Sequence, residues 1–310
     1  MNGGTGNVGG WEPEYTVSVA QAAELVGAQF ARLRGAPVEA LATGWDNTVF
    51  LVGGEWVFRF PRRAVALPGV RREIAVLPRL APRLPLPIPV PELAGRPSGA
   101  FPWPFWGARH LPGRELAESG LADGDRVAAA DGLGAFLRAL HDPDLTSVAG
   151  VLPRDPMSRA EPSVRSPLAR ERLARLARGD VWRPDPAVGS LLREGERLGP
   201  HTGAVAVSHG DLHIRHLLVD GDARAAAVID WGDLSVADPS LDLSLAYGGF
   251  AGAARTALLA AYGPVGAETE LRARVLAVFL CAALAEYAVE TGRERLLAEA
   301  LTGIARAAGD

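Results

Sequence analysis

The sequence predicts an α/β chain of the α+β kind, with a small β-sheet lobe followed by a larger, mainly helical lobe. Three observations predict it. Strand-like runs are concentrated in the first third of the 310 residues. A proline-dense stretch, 82–91, then makes a stiff extended connector. From Asp123 onward the apolar residues recur at helical spacing. At roughly 100–200 residues per domain, the length suits one large domain or two lobes sharing a cleft. The expected division is an arm over 1–15, a first lobe over 16–111 and a second lobe over 112–310.

The Gly- and Asn-rich start reads as a flexible arm. Over 16–35, Val19, Ala22, Ala23, Val26, Phe30 and Leu33 recur at helical spacing behind Ser18, which can cap the first turn. Gly35 and Pro37 end that helix. Residues 48–52 and 55–60 are strand-like and separated by Gly53 and Gly54, the two-residue signal of a hairpin. Before them, Gly44, Trp45, Asp46 and Asn47 form a turn. The segment 70–80 suits a helix carrying Glu73. Residues 101–111 form an aromatic strand closed by Pro112 and Gly113, where the lobe boundary falls. Over 127–141, Leu133, Phe136, Leu137 and Leu140 share one helical face. Residues 142–167, rich in Pro, Ser and Arg, read as a long surface loop. Further helices are expected over 168–178, 187–198, 241–246, 253–261, 271–290 and 293–308, and no internal repeat is visible.

Composition removes several functions. Hydrophobic residues make up 48% and charged residues 22%, an ordinary globular balance. All 32 basic residues are arginine; there is no lysine. A G-K-[ST] phosphate loop, a pyridoxal Schiff base and the S-x-x-K box of serine lactamases are therefore excluded. Phosphate must be held by arginine, by a helix N-terminus or by a metal. A net charge of −4 with scattered arginines argues against a nucleic-acid partner. The single cysteine, Cys281, excludes an internal disulfide and fits a reducing compartment. It lies in the apolar run 275–285 and reads as a buried, inert thiol. That run is well short of the ~20 residues needed to cross a bilayer. Residues 1–10 lack the apolar core of a signal peptide. The expectation is a cytoplasmic protein with no membrane partner.

The segment 208–239 carries the chemistry. Ser208, His209, Gly210, Asp211, Leu212, His213, Ile214, Arg215 and His216 lead into the apolar Leu217, Leu218 and Val219. Asp220, Gly221 and Asp222 make a turn. A second apolar run, 226–229, ends at Asp230, Trp231, Gly232 and Asp233, and Asp238 and Pro239 follow. An Asp-Gly turn folds two apolar strands back on one another. Asp211 and His216 precede the first strand and Asp230 ends the second. The hairpin therefore gathers two carboxylates and an imidazole at one end of a sheet. Such a set is either a metal site or an acid–base site.

This pair of motifs, His209-Gly210-Asp211-Leu212-His213 and Ile229-Asp230-Trp231-Gly232-Asp233, resembles the aminoglycoside phosphotransferase family, antibiotic kinases of the protein-kinase-like bilobal fold. Trp56-Val57-Phe58-Arg59-Phe60-Pro61-Arg62-Arg63 resembles that family's first hairpin, and the likeness covers roughly residues 40–250. The resemblance implies a small β-sheet N-lobe and a helical C-lobe. It implies transfer of the γ-phosphoryl group of ATP or GTP, with Mg²⁺, to a hydroxyl of a small molecule such as an aminoglycoside or macrolide. Asp211 matches the catalytic aspartate and Asp230 the metal-holding one. Arg59 stands where the phosphate-pairing lysine is usual, with Glu73 as its helical partner. Gly44 to Asn47 match the nucleotide-covering loop, and the backbone from Arg109 to Leu111 the hinge that binds the purine. Asp238 and Asp242 would brace the catalytic loop. His216 replaces the usual asparagine, a softer metal ligand, as in macrolide phosphotransferases. Arg59 keeps the lysine's charge with a different geometry.

Other readings stay open on the residues. His209, Asp211, His213 and His216 with Asp230 could serve a metal-dependent hydrolase. A kinase-like binding module without turnover, or a kinase for an ordinary metabolite, would share the same motifs. His209 and His213 are read as loop-bracing residues. Glu286 and Glu290, four apart on one helix face, are a candidate polycation contact or simply a charged surface. The chain leaves monomer against homodimer open.

Overall fold

The computed structural model describes residues 12–309; the expected arm over 1–15 lies outside them up to position 11. The chain divides into two compact units. One holds the residues up to Pro78 together with Pro89–His110; the other holds Arg79–Ile88 and Leu111–Asp310. The proline-dense run is thus shared between units. One reason is local: the Val228 amide donates to the Pro87 carbonyl at 3.0 Å.

In the first unit, α1 (Val19–Gln29) starts as expected. Ser18 Oγ accepts from the Gln21 amide at 3.2 Å, and the Gln21 side chain accepts from the Ser18 amide at 2.9 Å, a reciprocal cap. The helix is shorter than the apolar repeat, which continues through a 3₁₀ turn at Ala31–Leu33. Five antiparallel strands follow: β1 (Val38–Thr43), β2 (Asn47–Val52), β3 (Trp56–Pro61), then β4 (Leu93–Gly95) and β5 (Phe105–Arg109) after helix α2 (Leu67–Leu80). Their spatial order is β1-β2-β3-β5-β4. The β2–β3 hairpin turns at Gly53 and Gly54, both at positive φ, with Val52 opposite Trp56. One face of this sheet packs Phe50, Phe58, Phe60, Phe101 and Phe105 into an aromatic core against α1. The rings of Phe60 and Phe105 stack at 4.5 Å between centroids.

The second unit is mainly helical. Strand β6 (Arg114–Glu115) precedes α3 (Val127–Leu140), α4 (Pro143–Ala149), α5 (Pro162–Arg178) and α6 (Pro186–Glu196). Four short strands follow: β7 (Ala206–Ser208), β8 (Leu217–Val219), β9 (Ala225–Val228) and β10 (Ser235–Ala237). They form a β6-β8-β9 sheet and a β7-β10 pair. Four helices close the chain: α7 (Ser240–Gly248), α8 (Gly252–Tyr262), α9 (Ala267–Thr291) and α10 (Glu294–Ala308). Helices α3 and α8 meet closely at Gly134, where a Cβ would come within 2.3 Å of the Leu258 carbonyl oxygen. The long α9 buries Val275, Leu276, Val278, Cys281, Ala282, Leu284 and Ala285. Burial pushes the Cys281 thiol up to about 12, an unreactive state at neutral pH. Among the described residues, no helix is long and apolar enough to cross a membrane.

The segment 142–167 corrects its sequence reading. It is not one loop: α4 begins at Pro143 and α5 at Pro162. Proline lacks an amide hydrogen, and its fixed φ suits the first helical position, so these prolines start helices rather than break them.

Candidate active site

Strands β7 and β8 hold the loop between them at both ends. Ser208 is registered with Ser235 on β10, and Leu217 with Val228 on β9. The β8–β9 turn is tied by Asp220, whose side chain accepts from the Asp222 and Arg224 amides, both at 2.9 Å. The loop itself is laced to the hairpin. The His209 ring, through Nε2, donates to the Ile229 carbonyl at 2.9 Å, and the Ile229 amide donates to the His216 carbonyl at 2.9 Å. Gly210 has φ +86°, and a Cβ there would meet the Asp233 carbonyl oxygen at 2.2 Å. Only glycine fits that position.

Beneath the loop lies the buried carboxylate of Asp242. Its Oδ2 accepts from the His209 amide at 2.8 Å and its Oδ1 from the Gly210 amide at 3.2 Å. His141 Nε2 stands 3.3 Å from Oδ2, and its Nδ1 lies 3.0 Å from the Tyr262 hydroxyl. Burial would raise the Asp242 pKa, but the His141 and His209 interactions outweigh it and hold the group below the usual carboxylate range. Asp238 is braced in parallel: His201 Nδ1 lies 3.0 Å from its Oδ2, and its Oδ1 accepts from the Ser240 amide at 3.0 Å.

Asp211, His216 and Asp230 meet at the end of the β8–β9 hairpin. His216 Nδ1 is 2.7 Å from the Asp211 carbonyl oxygen, and Nε2 is 3.4 Å from Asp230 Oδ2. The two imidazoles of His213 and His216 stack at 3.8 Å, and His213 Nε2 is 3.7 Å from Asp211 Oδ2. Asp230 has φ +68°. That region costs a non-glycine residue on the order of 1 kcal/mol or more, and such strain clusters at functional sites.

The donor set fits a divalent cation. A carbonyl can only accept, so His216 Nδ1 carries the hydrogen and Nε2 holds a lone pair facing the Asp230 carboxylate. Burial, then the neighbouring His213, pushes His216 down to about 3; burial and Arg215 do the same to His213. Two acceptors thus confront one another across 3.4 Å, an arrangement that a shared cation resolves. Asp233 supports the same view. Burial, with Asp211 and Asp230 close by, pushes its carboxyl up to about 6 despite Arg159. A cation would relieve that crowding of negative charge.

Arg159 is a residue that sequence reasoning missed. Its Nη1 lies 2.9 Å from Asp211 Oδ1 and its Nη2 2.9 Å from Asp233 Oδ2. Asp155 anchors the arginine's backbone by accepting from the Arg159 amide at 2.7 Å and the Ala160 amide at 2.9 Å. His141 and His201, the partners of the two bracing aspartates, were missed as well. None of the three carries a local motif; their partners lie far along the chain.

In the first unit, Arg59 and Glu73 are brought together. Arg59 Nη1 is 3.3 Å from Glu73 Oε1, and Trp106 Nε1 donates to Glu73 Oε2 at 3.2 Å. Both charged side chains are buried, which a solvent-facing strand arginine would not be. The Gly44 to Asn47 turn closes with the Gly44 amide donating to the Asn47 carbonyl at 2.9 Å, and Arg63 pairs with Asp46. Arg109 Nη1 donates to Glu55 Oε2 at 2.6 Å and its guanidinium lies 4.2 Å from the Trp56 ring centre. The His110 amide is given to the Glu55 carbonyl at 2.7 Å, which withdraws it from the hinge donors. Leu111 belongs to the second unit. Glu286 is held by Arg172 and Arg175, so it is a neutralised acid rather than a free one.

Comparison with known proteins gives the context for this geometry. Residues 37–276 match the phosphotransferase enzyme family, APH. The fold is similar to that of the GDP and kanamycin complex of APH(2")-IIia, with a TM-score of 0.66 at 21% identity over 92% of this chain and 97% of that one. It is also similar to macrolide 2'-phosphotransferase type I, with a TM-score of 0.58 at 24% identity over 94% and 98%. The macrolide 2'-phosphotransferase MphH of Brachybacterium faecium gives 0.57 at 25% identity over 91% and 97%. A curated relative, the uncharacterized protein YcbJ of Bacillus subtilis (strain 168), is 42% identical over 43 residues, which is 14% of each chain. With its two-unit α+β architecture of the kinase-like kind and its family match over most of the sequence, this chain belongs to the phosphotransferase enzyme family.

Proposed function

We propose that this chain moves the γ-phosphoryl group of ATP or GTP, with Mg²⁺, onto a hydroxyl of a small molecule. The observation that carries the reading is the convergence of Asp211, His216 and Asp230 at one end of the β8–β9 hairpin, inside the family-matched segment. In this reading Asp211 orients the acceptor hydroxyl and takes its proton as the new oxygen–phosphorus bond forms. The bond from that phosphorus to the leaving nucleoside diphosphate breaks in the same step. Asp230 and His216 hold the cation, with Asp233 beside them. When bound, Mg²⁺ offsets the negative charge of the donor phosphates. Arg59, fixed by Glu73, pairs with those phosphates; its guanidinium can grip two oxygens at once. The Gly44 to Asn47 turn covers the nucleotide, and the backbone of Arg109 and Leu111 receives the base. The first lobe serves the nucleotide, the second the acceptor, and the enzyme works in the cytoplasm.

The relatives named for kanamycin and macrolides make hydroxylated antibiotics the first acceptors to test, with hydroxylated metabolites as the alternative. Incubation with Mg²⁺ and either ATP or GTP, against panels of aminoglycosides, macrolides and metabolites, is expected to give acceptor-dependent release of nucleoside diphosphate. A protein that binds neither nucleotide rejects the reading.

His216→Asn tests the metal assignment. An asparagine side chain offers a hard oxygen on a shorter reach than Nε2, so transfer is expected to persist, within about a hundredfold, and to favour Mg²⁺ over Mn²⁺ more than the wild type does. Complete loss under both metals would give His216 another role. A second reading, a metal-dependent hydrolase, is favoured by one observation: ligand atoms of Asp211, His213 and His216 lie within 4.8 Å of one another. Tight zinc binding without nucleotide binding selects it. It leaves the buried Arg59–Glu73 pair without a purpose.

A further inference from the structure

We infer that the acceptor carries an oxyanion, a carboxylate or a phosphate ester, on an apolar body, and that Arg165 and Phe279 receive it. This deepens the phosphotransferase reading and rests on it. The argument concerns the second unit alone, on the side of the catalytic loop where the α4–α5 connection and α9 lie.

Five arginines crowd this side. Arg159 is spent on Asp211 and Asp233. Arg172 is spent on Glu286, which Arg175 also holds. Arg215 pairs with Glu115 at 3.3 Å and lies 5.1 Å over the Tyr287 ring. Arg165, in the first turn of α5, differs from the other four. It donates Nε to the Ser158 carbonyl at 3.3 Å and Nη2 to the Met157 carbonyl at 2.6 Å, and among the described residues no carboxylate pairs with it. No salt bridge compensates its charge: burial, Arg159 and Arg172 lower its proton affinity, and Asp155 and Asp211, which act in the opposite sense from further off, do not restore it.

An apolar surface accompanies that charge. The Arg165 guanidinium lies 5.0 Å from the ring centre of Phe279, and that of Arg172 lies 5.5 Å from the same ring. Phe279 and Tyr287 stand eight residues apart on α9, about two turns, so they share a face. Both rings are only partly buried. Glu286, which lies between them on α9, is already neutralised twice, while Glu290, one turn further on, is exposed.

A polycation placed over Arg165 and Phe279 would meet like charge there, with Glu286 already paired. An oxyanion would take the donors of Arg165 that the carbonyls leave, while an apolar body covers Phe279. The kanamycin seen with one structural relative is thus the wrong charge for this surface, although the phosphoryl chemistry is the same.

The test uses small probes on the whole protein, with its nucleotide site first saturated by ADP or GDP and Mg²⁺ so that anions cannot report on that site. Calorimetry then measures phenylacetate, phenyl phosphate, benzylamine and kanamycin against wild type, Arg165→Gln and Arg165→Lys. The expected result is that at least one anion binds about tenfold or more tightly than benzylamine. Arg165→Gln removes that preference and Arg165→Lys keeps most of it, so charge rather than folding is the cause. Tighter binding of benzylamine or kanamycin, no binding of either anion, or indifference to Arg165→Gln overturns the inference. Failure of both nucleotides to bind is a separate outcome. It sinks the phosphotransferase reading and, with it, the naming of this surface as an acceptor site.

Discussion

Asp211→Asn is expected to lower phosphoryl transfer about 10²–10⁴-fold, the usual worth of a positioned general base, while nucleotide affinity stays within about twofold. Asparagine keeps an oxygen where Arg159 Nη1 now lies 2.9 Å from Oδ1, so the loop retains its geometry. What it loses is the ability to take a proton. The measurement is a steady-state comparison of kcat and of nucleotide Kd for the two proteins. A variant with near-normal kcat would remove Asp211 from the chemistry. A variant that no longer binds nucleotide would show that the substitution disturbed more than the proton acceptor. Arg159 sharpens the point. A guanidinium on the base's Oδ1 leaves Oδ2 as the oxygen for a hydroxyl, and His213 Nε2, 3.7 Å from that atom, bounds it on one side.

Much of this site was legible because its signals are local. The Asp220 to Asp222 turn forces 217–219 and 225–228 together, and the meeting of Asp211, His216 and Asp230 follows from that fold-back. Gly53 and Gly54 did the same for the strand that carries Arg59. Strand β1 was not legible for the opposite reason. It lies at the sheet's edge with Glu39, Ala40, Leu41, Ala42 and Thr43 all exposed, so no alternation of apolar and polar residues marks it. The helices begun by Pro143 and Pro162 were hidden because proline signals a break and a helix start with the same letter. Arg159 was hidden because its two carboxylate partners lie 52 and 74 positions away in the sequence, and an ion pair of that span leaves no pattern. The pairing of the arginines beside the catalytic loop was hidden for the same reason. Counting arginines showed how many there are, but only the pairing shows that Arg165 is left over.

Asp242→Ala is expected to cost about 3 kcal/mol of stability, since it strands two buried amides and an imidazole that now share one carboxylate. For a chain of this size that is a fall of roughly 6–12 °C in Tm. Activity should fall further than stability explains. The amides released are those of His209 and Gly210, and Gly210 directly precedes the proposed base. The pH dependence gives a second, independent readout. Asp242 has a folded pKa below its usual 3.8, so its ionised form contributes stability that is present above 3.8 and is lost as the pH falls through the lower, folded value. The gap in Tm between wild type and Asp242→Ala should therefore be full at neutral pH and narrow only below pH 3.8. A gap that is constant down to strong acid would mean that the alanine acts by leaving a cavity, and that the ionised carboxylate is not what holds the loop. Asp242→Asn separates the two effects further. It keeps one oxygen for the His209 amide but presents an NH₂ to one of the remaining donors, so it should recover part of the stability and little of the transfer rate. If asparagine restored full activity, the loop would need only the volume of that side chain. The bracing role assigned to its charge would then be wrong.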